Sequence, residues 1–349
     1  MSVPDNLLGM SLTPHSSRSQ IVTVTDVIDE TALAKSFVFD AEWDYRPGQF
    51  ITVRVPSDQT GSVARSYSLY TSPFDSGRPG VTVKRTAGGY ASNWLCDNLS
   101  PGSELEVLPP AGVFVPDSLD VPMLLLAAGS GITPIMSILT AALTAGTQPI
   151  TLLYANADAA STIFREQIAR LDAENERLTV IWWMESERGV PDADMLSALL
   201  TPYHSRPTYL CGREEFMAAC KEACRVIGTP REQVHQEIYA SLSGDAFADI
   251  VPHEVQVSAD SPQVTVYNLG ATFTVPWPEG DTLVDVLISN GHDVPYSCQS
   301  GECATCLCKL TKGTVEMAVT DGLDPDDADD GYILGCQAKP TSPELEVEY

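Results

Sequence analysis

The stretch CQSGECATC, Cys298 to Cys306, answered by Cys336 in ILGCQAKP, decides how the C-terminal part of this chain folds. A spacing of C-x4-C-x2-C with a distant fourth cysteine is the ligand pattern of a plant-type [2Fe-2S] cluster. Two irons need four thiolates. A tight loop supplies three of them only where small residues let the backbone wrap the sulfides, and Gly301, Ala304 and Thr305 meet that need. A structural zinc site is the alternative, although zinc ligands usually come in pairs spaced C-x2-C and only Cys303 and Cys306 form such a pair. Cys308 falls outside the set and reads as a buried bystander.

Around this loop the pattern is that of a small α+β domain over residues 263–349. VTVYNLGATFTV reads as a hairpin, and DTLVDVLISNG as a helix opened by Asp281 as cap and closed by Gly291. Charge concentrates here. The net charge is -27, and from Ile250 to Tyr349 there are 17 acidic residues against 3 basic ones, so -14 of it lies in this segment. Such a balance argues against nucleic acid or an anionic membrane as partner. Six aspartates in DGLDPDDADDGY, Asp321 to Tyr332, form either a solvated loop or a docking face for a basic partner, whose attraction would weaken with salt. Just upstream, SLSGDAFADIVPHEVQVSADSP, residues 241–262, lacks periodicity and reads as an interdomain linker.

Residues 117–240 alternate buried strands with helices in the manner of a parallel α/β sheet: MLLLAA, PIMSILTAALTAG, ITLLYAN, FREQIARLDAEN, LTVIWWME and PTYLCG. The turn after MLLLAA is GSGITP. Gly129 and Gly131 let the backbone approach a dinucleotide pyrophosphate, and Pro134 suits the first turn of the next helix, though the full G-x-G-x-x-G fingerprint is missing. Cys211 and Gly212 end a second strand at the same sheet edge, where ligands of open α/β sheets bind; an inert buried cysteine is the commoner case. Residues 18–116 are short alternating stretches cut by Gly, Pro and Asp turns, the pattern of an antiparallel barrel. One of them, RSYS, puts Arg65 and Tyr67 on one face and Ser66 and Ser68 on the other. A flavin needs a cation, a ring and a donor of this kind. The next element, VKRTAGGYASNWL, adds Lys84, a turn at Gly88 and Gly89, and Ser92 near a helix start, where free N–H groups attract phosphate. Residues 1–17 read as a loose tail. The scattered, odd-numbered cysteines and the absence of a long apolar run predict a soluble protein of the cytoplasm.

RSYSL, GGYAS, AAGSGITPI, YLCG and the cysteine pattern, in this order, resemble the ferredoxin-NADP reductase superfamily with a fused C-terminal plant-type ferredoxin, over about Gln20 to Tyr349. Within it, RSYSLYTSP, KRTAGGYASNWLCDNL, LLLAAGSGITPIMSIL and HQEIYASLSGDAF are most similar to reductase components of 3-ketosteroid 9-alpha-hydroxylases; phenylacetyl-CoA epoxidase reductases are near relatives. The resemblance implies FAD held by Arg65, Ser66, Tyr67, Ser68, Lys84, Gly89 and Ser92. It implies a nicotinamide nucleotide at Gly129, Gly131, Thr133 and Pro134, with Cys211 and Gly212 near its reactive ring and Glu237 near the flavin. Cys298, Cys303, Cys306 and Cys336 match the iron ligands. Tyr67, Ser68, Cys211 and Glu237 are then the residues expected at the reaction centre. Two positions depart from the pattern. Arg213 stands where many relatives have proline, and either touches the nucleotide phosphates or faces solvent. Ala157 and Asp158 follow Asn156 where relatives often carry arginine, which favours NADH over NADPH unless Arg165 serves a 2'-phosphate.

The expected chemistry is a relay. Hydride brings two electrons, the cluster accepts one, and a flavin bridges the mismatch. The expected acceptor is a Rieske-type terminal oxygenase of steroid hydroxylation, docking on the acidic ferredoxin face. Another oxygenase system, for an acyl-CoA, aromatic or alkane substrate, is the alternative within the enzyme class. A non-enzymatic redox sensor and a zinc-stabilised interaction protein lie outside it.

Overall fold

The computed structural model describes residue 14 and residues 16–75, 77–258, 260–268 and 270–349; most of the tail expected over residues 1–17 lies outside them. Three large sheets and one two-stranded ladder hold the strands of the described residues from Gln20 onward. The first contains β1 (Gln20–Thr31), β2 (Ala34–Asp40), β3 (Phe50–Ser57), β4 (Gly61–Ser68), β5 (Gly80–Lys84) and, after helix α1 (Tyr90–Asn98), β6 (Glu104–Ala111). Their order is β4-β3-β6-β1-β2-β5, all antiparallel. Just past β4, Leu69 bridges to Val81 of β5, which joins the two edges into the barrel that the alternating sequence predicts. Alternation puts Val22, Val24, Phe37, Phe39, Ile51, Val53 and Val55 inside, and α1 covers one end with Leu95 and Cys96.

The second sheet is entirely parallel. It takes β7 (Met123–Ala128), helix α2 (Ile132–Ala145), β8 (Ile150–Asn156), α3 (Arg165–Glu174), β9 (Leu178–Met184), the short α4 (Glu185–Arg188), α5 (Ala193–Leu200), β10 (Thr208–Cys211), α6 (Glu214–Ile227) and β11 (Val234–Glu237). Strand β7 is buried along its whole length because helices cover both faces. Met123, Leu125 and Ala127 pack towards α2 and α3, while Leu124, Leu126 and Ala128 pack towards α5 and α6. The order is β11-β10-β7-β8-β9. The chain therefore walks outward from β7 to β9, then returns to β10 on β7's other side. That reversal opens a crevice between β7 and β10 at their carboxyl ends, where α/β sheets take ligands.

The third sheet runs β13 (Ala271–Pro276), β12 (Gln263–Asn268), β18 (Glu344–Glu348), β14 (Leu307–Lys312) and β16 (Tyr332–Leu334); β15 (Val315–Met317) pairs separately with β17 (Ala338–Pro340). Strands β12 and β18 are parallel and the rest antiparallel, with helix α7 (Leu283–Ser289) packed against them and a short helix α8 (Pro325–Asp329) inside the acidic run. This is the β-grasp arrangement. Trp277, Leu283, Val286 and Leu287 are fully buried there, each such side chain contributing about 2–3 kcal/mol. The cap of α7 is Thr282, whose hydroxyl accepts from the Asp285 N–H; Asp281, expected there, instead gives its carbonyl to the Trp277 indole at 2.9 Å. Gly291, at φ +80°, ends the helix as expected.

The described residues of 241–262 form no helix or strand, but the first half is not a free spacer. Leu242, Ala246 and Phe247 are buried with Ala64 and Leu108 of the barrel and Cys298 of the cysteine loop. Arg54 lies over the Phe247 ring, and Arg18 donates to the carbonyls of Ala246 and Ala248. Three apolar residues among serines and aspartates suffice to strap the third sheet's domain onto the barrel.

Candidate functional site

Strand β4 presents alternate residues to the crevice. Ala64, Ser66 and Ser68 face the strap and the nucleotide sheet; the Ser66 hydroxyl meets Thr52 at 3.1 Å. Tyr67 points the other way, half-buried against the barrel core, where desolvation pushes its hydroxyl well above its usual range. The Arg65 guanidinium donates to the carbonyls of Ala64 and Leu242, the latter at 3.2 Å. Below the barrel, Ser92 accepts from the Thr86 N–H at 3.1 Å and closes the Gly88–Gly89 turn, with Gly88 at φ +71°. Among the described residues its own hydroxyl proton has no hydrogen-bond acceptor. Lys84, at the end of β5, lies 3.6 Å from where a side chain on Gly129 would begin, so a barrel cation reaches the nucleotide turn.

That turn is packed to contact. A Cβ on Gly131 would sit 2.2 Å from the Cys211 carbonyl oxygen, and one on Gly212 would sit 2.9 Å from the Ala128 Cβ. Glycine is needed at both because the turns after β7 and β10 touch. Pro134 is buried in the first turn of α2. The crevice widens into a cleft of about 1060 Å³ lined by Lys84, Gly129, Asn156, Glu185 and Gly212. The buried amide nitrogen of Asn156 has no hydrogen-bond partner among the described residues, and among them Lys84 has no carboxylate partner. An unpaired donor and an unpaired cation beside a turn that admits only backbone suit a phosphorylated ligand. Arg213 pairs with Glu185 across the cleft. Asp158 is turned away, accepting from the Ser161 N–H at 2.8 Å, and neither it nor Arg165 lines the cleft.

At the meeting of barrel and nucleotide domain stands Tyr239, which no sequence motif singles out. Its hydroxyl lies 3.3 Å from Ser68 Oγ and 2.9 Å from Thr133 Oγ1, and Thr133 donates to the Ser130 carbonyl. A single line of hydroxyls thus joins the flavin strand to the nucleotide turn. Cys211 is fully buried beside Tyr239, and burial, helped by the nearby Glu237 carboxyl, pushes its thiol far up. Desolvation pushes Glu237 itself up to about 8. One signal does point to Tyr239: it lies two residues beyond Glu237 in an extended segment and so shares its face.

The cysteine loop folds as its small residues allow. Gln299, Gly301 and Ala304 all have positive φ, and a Cβ on Gly301 would meet the Val319 carbonyl at 2.8 Å. The bends aim backbone N–H groups at sulfur: Ser300 towards Cys298, Cys298 towards Cys303 and Cys336 towards Cys306, each at 3.4 Å. Cys298 interacts with Cys303 and Cys336, and Cys336 with Cys306, which places the four thiols near one another. An all-cysteine set with amide donors suits thiolate ligands of an iron–sulfur cluster. Cys308 instead faces the Tyr349 hydroxyl. Most telling is where the loop lies. Cys303 and Glu302 line one small pocket together with Ser66, Ser68, Glu237 and Tyr239.

Three family models match in the same order: an oxidoreductase FAD-binding domain at residues 21–115, an oxidoreductase NAD-binding domain at 125–222, and a 2Fe-2S iron-sulfur cluster binding domain at 266–341. Over 345 residues the chain is 51% identical to the ferredoxin reductase component of 3-ketosteroid-9-alpha-monooxygenase from Rhodococcus rhodochrous, covering 96% of this chain and 98% of that one. The chain belongs to this family of ferredoxin reductases. It is 31% identical to one of the subunits of 1,2-phenylacetyl-CoA epoxidase from Escherichia coli, over 94% of this chain and 97% of that one. Phthalate dioxygenase reductase shares the fold, with a TM-score of 0.57 at 24% identity over 95% of this chain and 98% of that one. An iron–sulfur module replaces the zinc alternative, and the three modules make the chain a flavin iron–sulfur oxidoreductase using FAD, a nicotinamide nucleotide and a [2Fe-2S] cluster. No helix among the described residues of this reductase is long and apolar enough to cross a membrane.

The reductase uses its acidic run in a way the sequence does not suggest. Four of the six aspartates are engaged by its own nucleotide domain. Lys221 of α6 binds Asp324 at 2.8 Å and Asp326 at 2.9 Å, and Arg231 binds Asp327 at 2.9 Å and also Asp330. Gln236 of β11 donates to Asp324 as well. Asp321 and Asp329 are exposed. The run thus keeps exposed carboxylates while four of its aspartates are paired within the chain.

Proposed function

We propose that this reductase takes hydride from NADH and delivers single electrons to a Rieske-type terminal oxygenase that hydroxylates a 3-ketosteroid. One observation carries the relay: residues of the flavin strand, the nucleotide domain and the cluster loop line a single pocket, through Ser66, Ser68, Glu237, Tyr239 and Cys303. The acceptor follows from kinship, since the 51% relative is named as the reductase component of such a steroid monooxygenase. Residues 18–116 form the FAD-binding barrel, 117–240 the nucleotide domain and 263–349 the ferredoxin domain, with 241–262 between them. Bound flavin supplies the change from paired to single electrons.

The chain's own part is positioning. Arg65, Ser66, Tyr67 and Ser68, with Lys84, Gly89 and Ser92, hold FAD along β4 and the turn before α1. Gly129, Gly131, Thr133, Pro134, Cys211 and Gly212 would seat the nicotinamide nucleotide, with Lys84 beside the Gly129 turn to supply charge for its pyrophosphate. Tyr239 stands between Ser68 and Thr133, and would have to move aside for a nicotinamide ring to approach Ser68. Cys211, fully buried, and Glu237, whose carboxyl desolvation pushes up to about 8, shape that pocket with little added charge near neutral pH. Cys298, Cys303, Cys306 and Cys336 bind the irons. NADH is favoured because Ala157 and Asp158 follow Asn156 where relatives often carry an arginine for a 2'-phosphate, and Glu185, paired with Arg213, keeps a carboxylate beside the cleft just past β9 that suits ribose hydroxyls. The acceptor meets the acidic ferredoxin domain. A plant-type cluster near about -400 mV reduces Rieske centres at about -150 mV and above. The reductase works in the cytoplasm, where thiols stay reduced.

The test is reconstitution of the flavin- and cluster-loaded protein with the oxygenase component of a 3-ketosteroid 9-alpha-monooxygenase. NADH should drive steroid hydroxylation, with kcat/KM at least about tenfold above that with NADPH. Turnover with a phenylacetyl-CoA epoxidase but none with the steroid oxygenase would move the assignment to the other branch. Absence of NADH oxidation with ferricyanide would remove the enzyme reading altogether.

A further inference from the structure

The ferredoxin domain rests on two unlike supports. One is apolar: Cys298 is buried with Leu242, Ala246 and Phe247 against Ala64 and Leu108 of the barrel. Glu302, itself buried, accepts from the Ser243 N–H with both oxygens, at 3.0 and 3.1 Å. This seat turns Cys303 towards the flavin strand. The other support is ionic. Helix α8 lays Asp324, Asp326, Asp327 and Asp330 on Lys221 and Arg231, and Asp324 keeps only 8% of its side chain exposed.

The two supports have a conflict built into them. While the seat is closed, the cluster loop faces inward, against the barrel. An outside acceptor cannot share that face with it. The ionic support is the one that responds to another charged surface, because screening and competition act on partly exposed ion pairs and hardly on buried apolar contacts. We propose that helix α8 is an electrostatic latch: paired with Lys221 and Arg231 it closes the ferredoxin domain over the flavin strand, and ionic competition, by salt or by a basic acceptor surface, releases it. The acceptor half of this statement rests on the function proposed above; the latch itself does not. The run is then read twice, by the nucleotide domain while electrons are loaded and by the acceptor while they leave.

The latch is measured without any acceptor, so its failure is separate from a failure of the oxygenase assignment. Small-angle scattering of the flavin- and cluster-loaded full chain, from low salt to about 1 M, where the screening length falls to about 3 Å, should show expansion. The reversal Asp327→Lys with Asp330→Lys should be expanded already at low salt and should slow flavin-to-cluster electron transfer about tenfold. Adding Arg231→Glu to that pair should restore the compact form. Visible absorption of the cluster in every variant shows that the domain is folded. Unchanged dimensions across salt would overturn the latch. So would a double variant that behaves like the parent, or a triple variant that stays expanded with a native cluster spectrum.

Discussion

At the cluster, three of the four sulfurs come from nine consecutive residues, Cys298 to Cys306. At the crevice, Ser68 comes from β4, Thr133 from α2, Cys211 from β10 and Tyr239 from the segment after β11. The cluster loop is shaped by its own backbone, through positive φ at Gln299, Gly301 and Ala304 and amides aimed at its own sulfurs. The crevice is shaped by the register of two domains, joined by the Tyr239 hydroxyl and by contacts such as Ser137 donating to the Thr71 carbonyl at 2.6 Å. A site of the first kind travels with its domain intact. A site of the second kind exists only while barrel and nucleotide sheet stay in place, which suits a hydride step needing close approach of two rings and leaves the electron end free to move.

The sharpest way to separate the two ends is to destroy one. Cys336→Ser removes the sulfur that joins Cys298 to Cys306, and the cluster's visible absorption should be lost entirely. Nothing in the crevice depends on Cys336, so NADH-driven reduction of ferricyanide through the flavin should continue at close to the parent rate. Loss of that dye activity would mean that the crevice is held together by the ferredoxin domain and that the contrast drawn above is mistaken.

The converse is Gly131→Ala. Its φ is ordinary, so the cost is contact alone: a methyl 2.2 Å from the Cys211 carbonyl must part the turns after β7 and β10. Overpacking of this kind costs about 1–3 kcal/mol. We expect NADH affinity to fall about tenfold or more, and the cluster spectrum to stay as it is. A fall in cluster content instead would show strain passing from one end to the other.

The same contrast explains what is legible in the sequence. Six barrel strands, the parallel sheet and the cysteine loop announce themselves through alternation, unbroken apolar runs and spacing, all properties of contiguous residues. Tyr239 and Lys221 do not, because their meaning lies in what the fold brings beside them. An acidic run reads as facing outward since charge usually does, yet Lys221 and Arg231 pair with four of its six aspartates and bury one of them, Asp324. Residues 241–262 read as loose because their few apolar residues follow no period; Phe247 needs none, having a ready-made seat on the barrel. Asp281 loses the cap of α7 to its neighbour Thr282, a one-residue choice between two good capping residues.

The smallest expected effect probes the crevice alone, through Glu237. Its carboxyl is pushed up to about 8 by desolvation, from 4.5 when free. A raised folded-state value means the native protein holds a proton that the unfolded chain releases between these two values. The stability Glu237 contributes is therefore fully present below pH 4.5 and is lost as pH rises through about 8. Glutamine keeps the shape and the neutral state but has no proton to lose. Glu237→Gln should then differ little from the parent at pH 5 and be more stable at pH 8.5 by about 2 kcal/mol, a figure discounted from about 1.4 kcal/mol per pKa unit because the group keeps some contact with solvent. Thermal unfolding of the flavin-loaded chain across this range measures it. The cluster, whose ligands take no part in this proton, should give the same absorption in both proteins at every pH. A stability difference that stays flat with pH would make Glu237 an ordinary ionised carboxylate, and the proton-holding pocket that sets the crevice apart from the cluster loop would have to be given up.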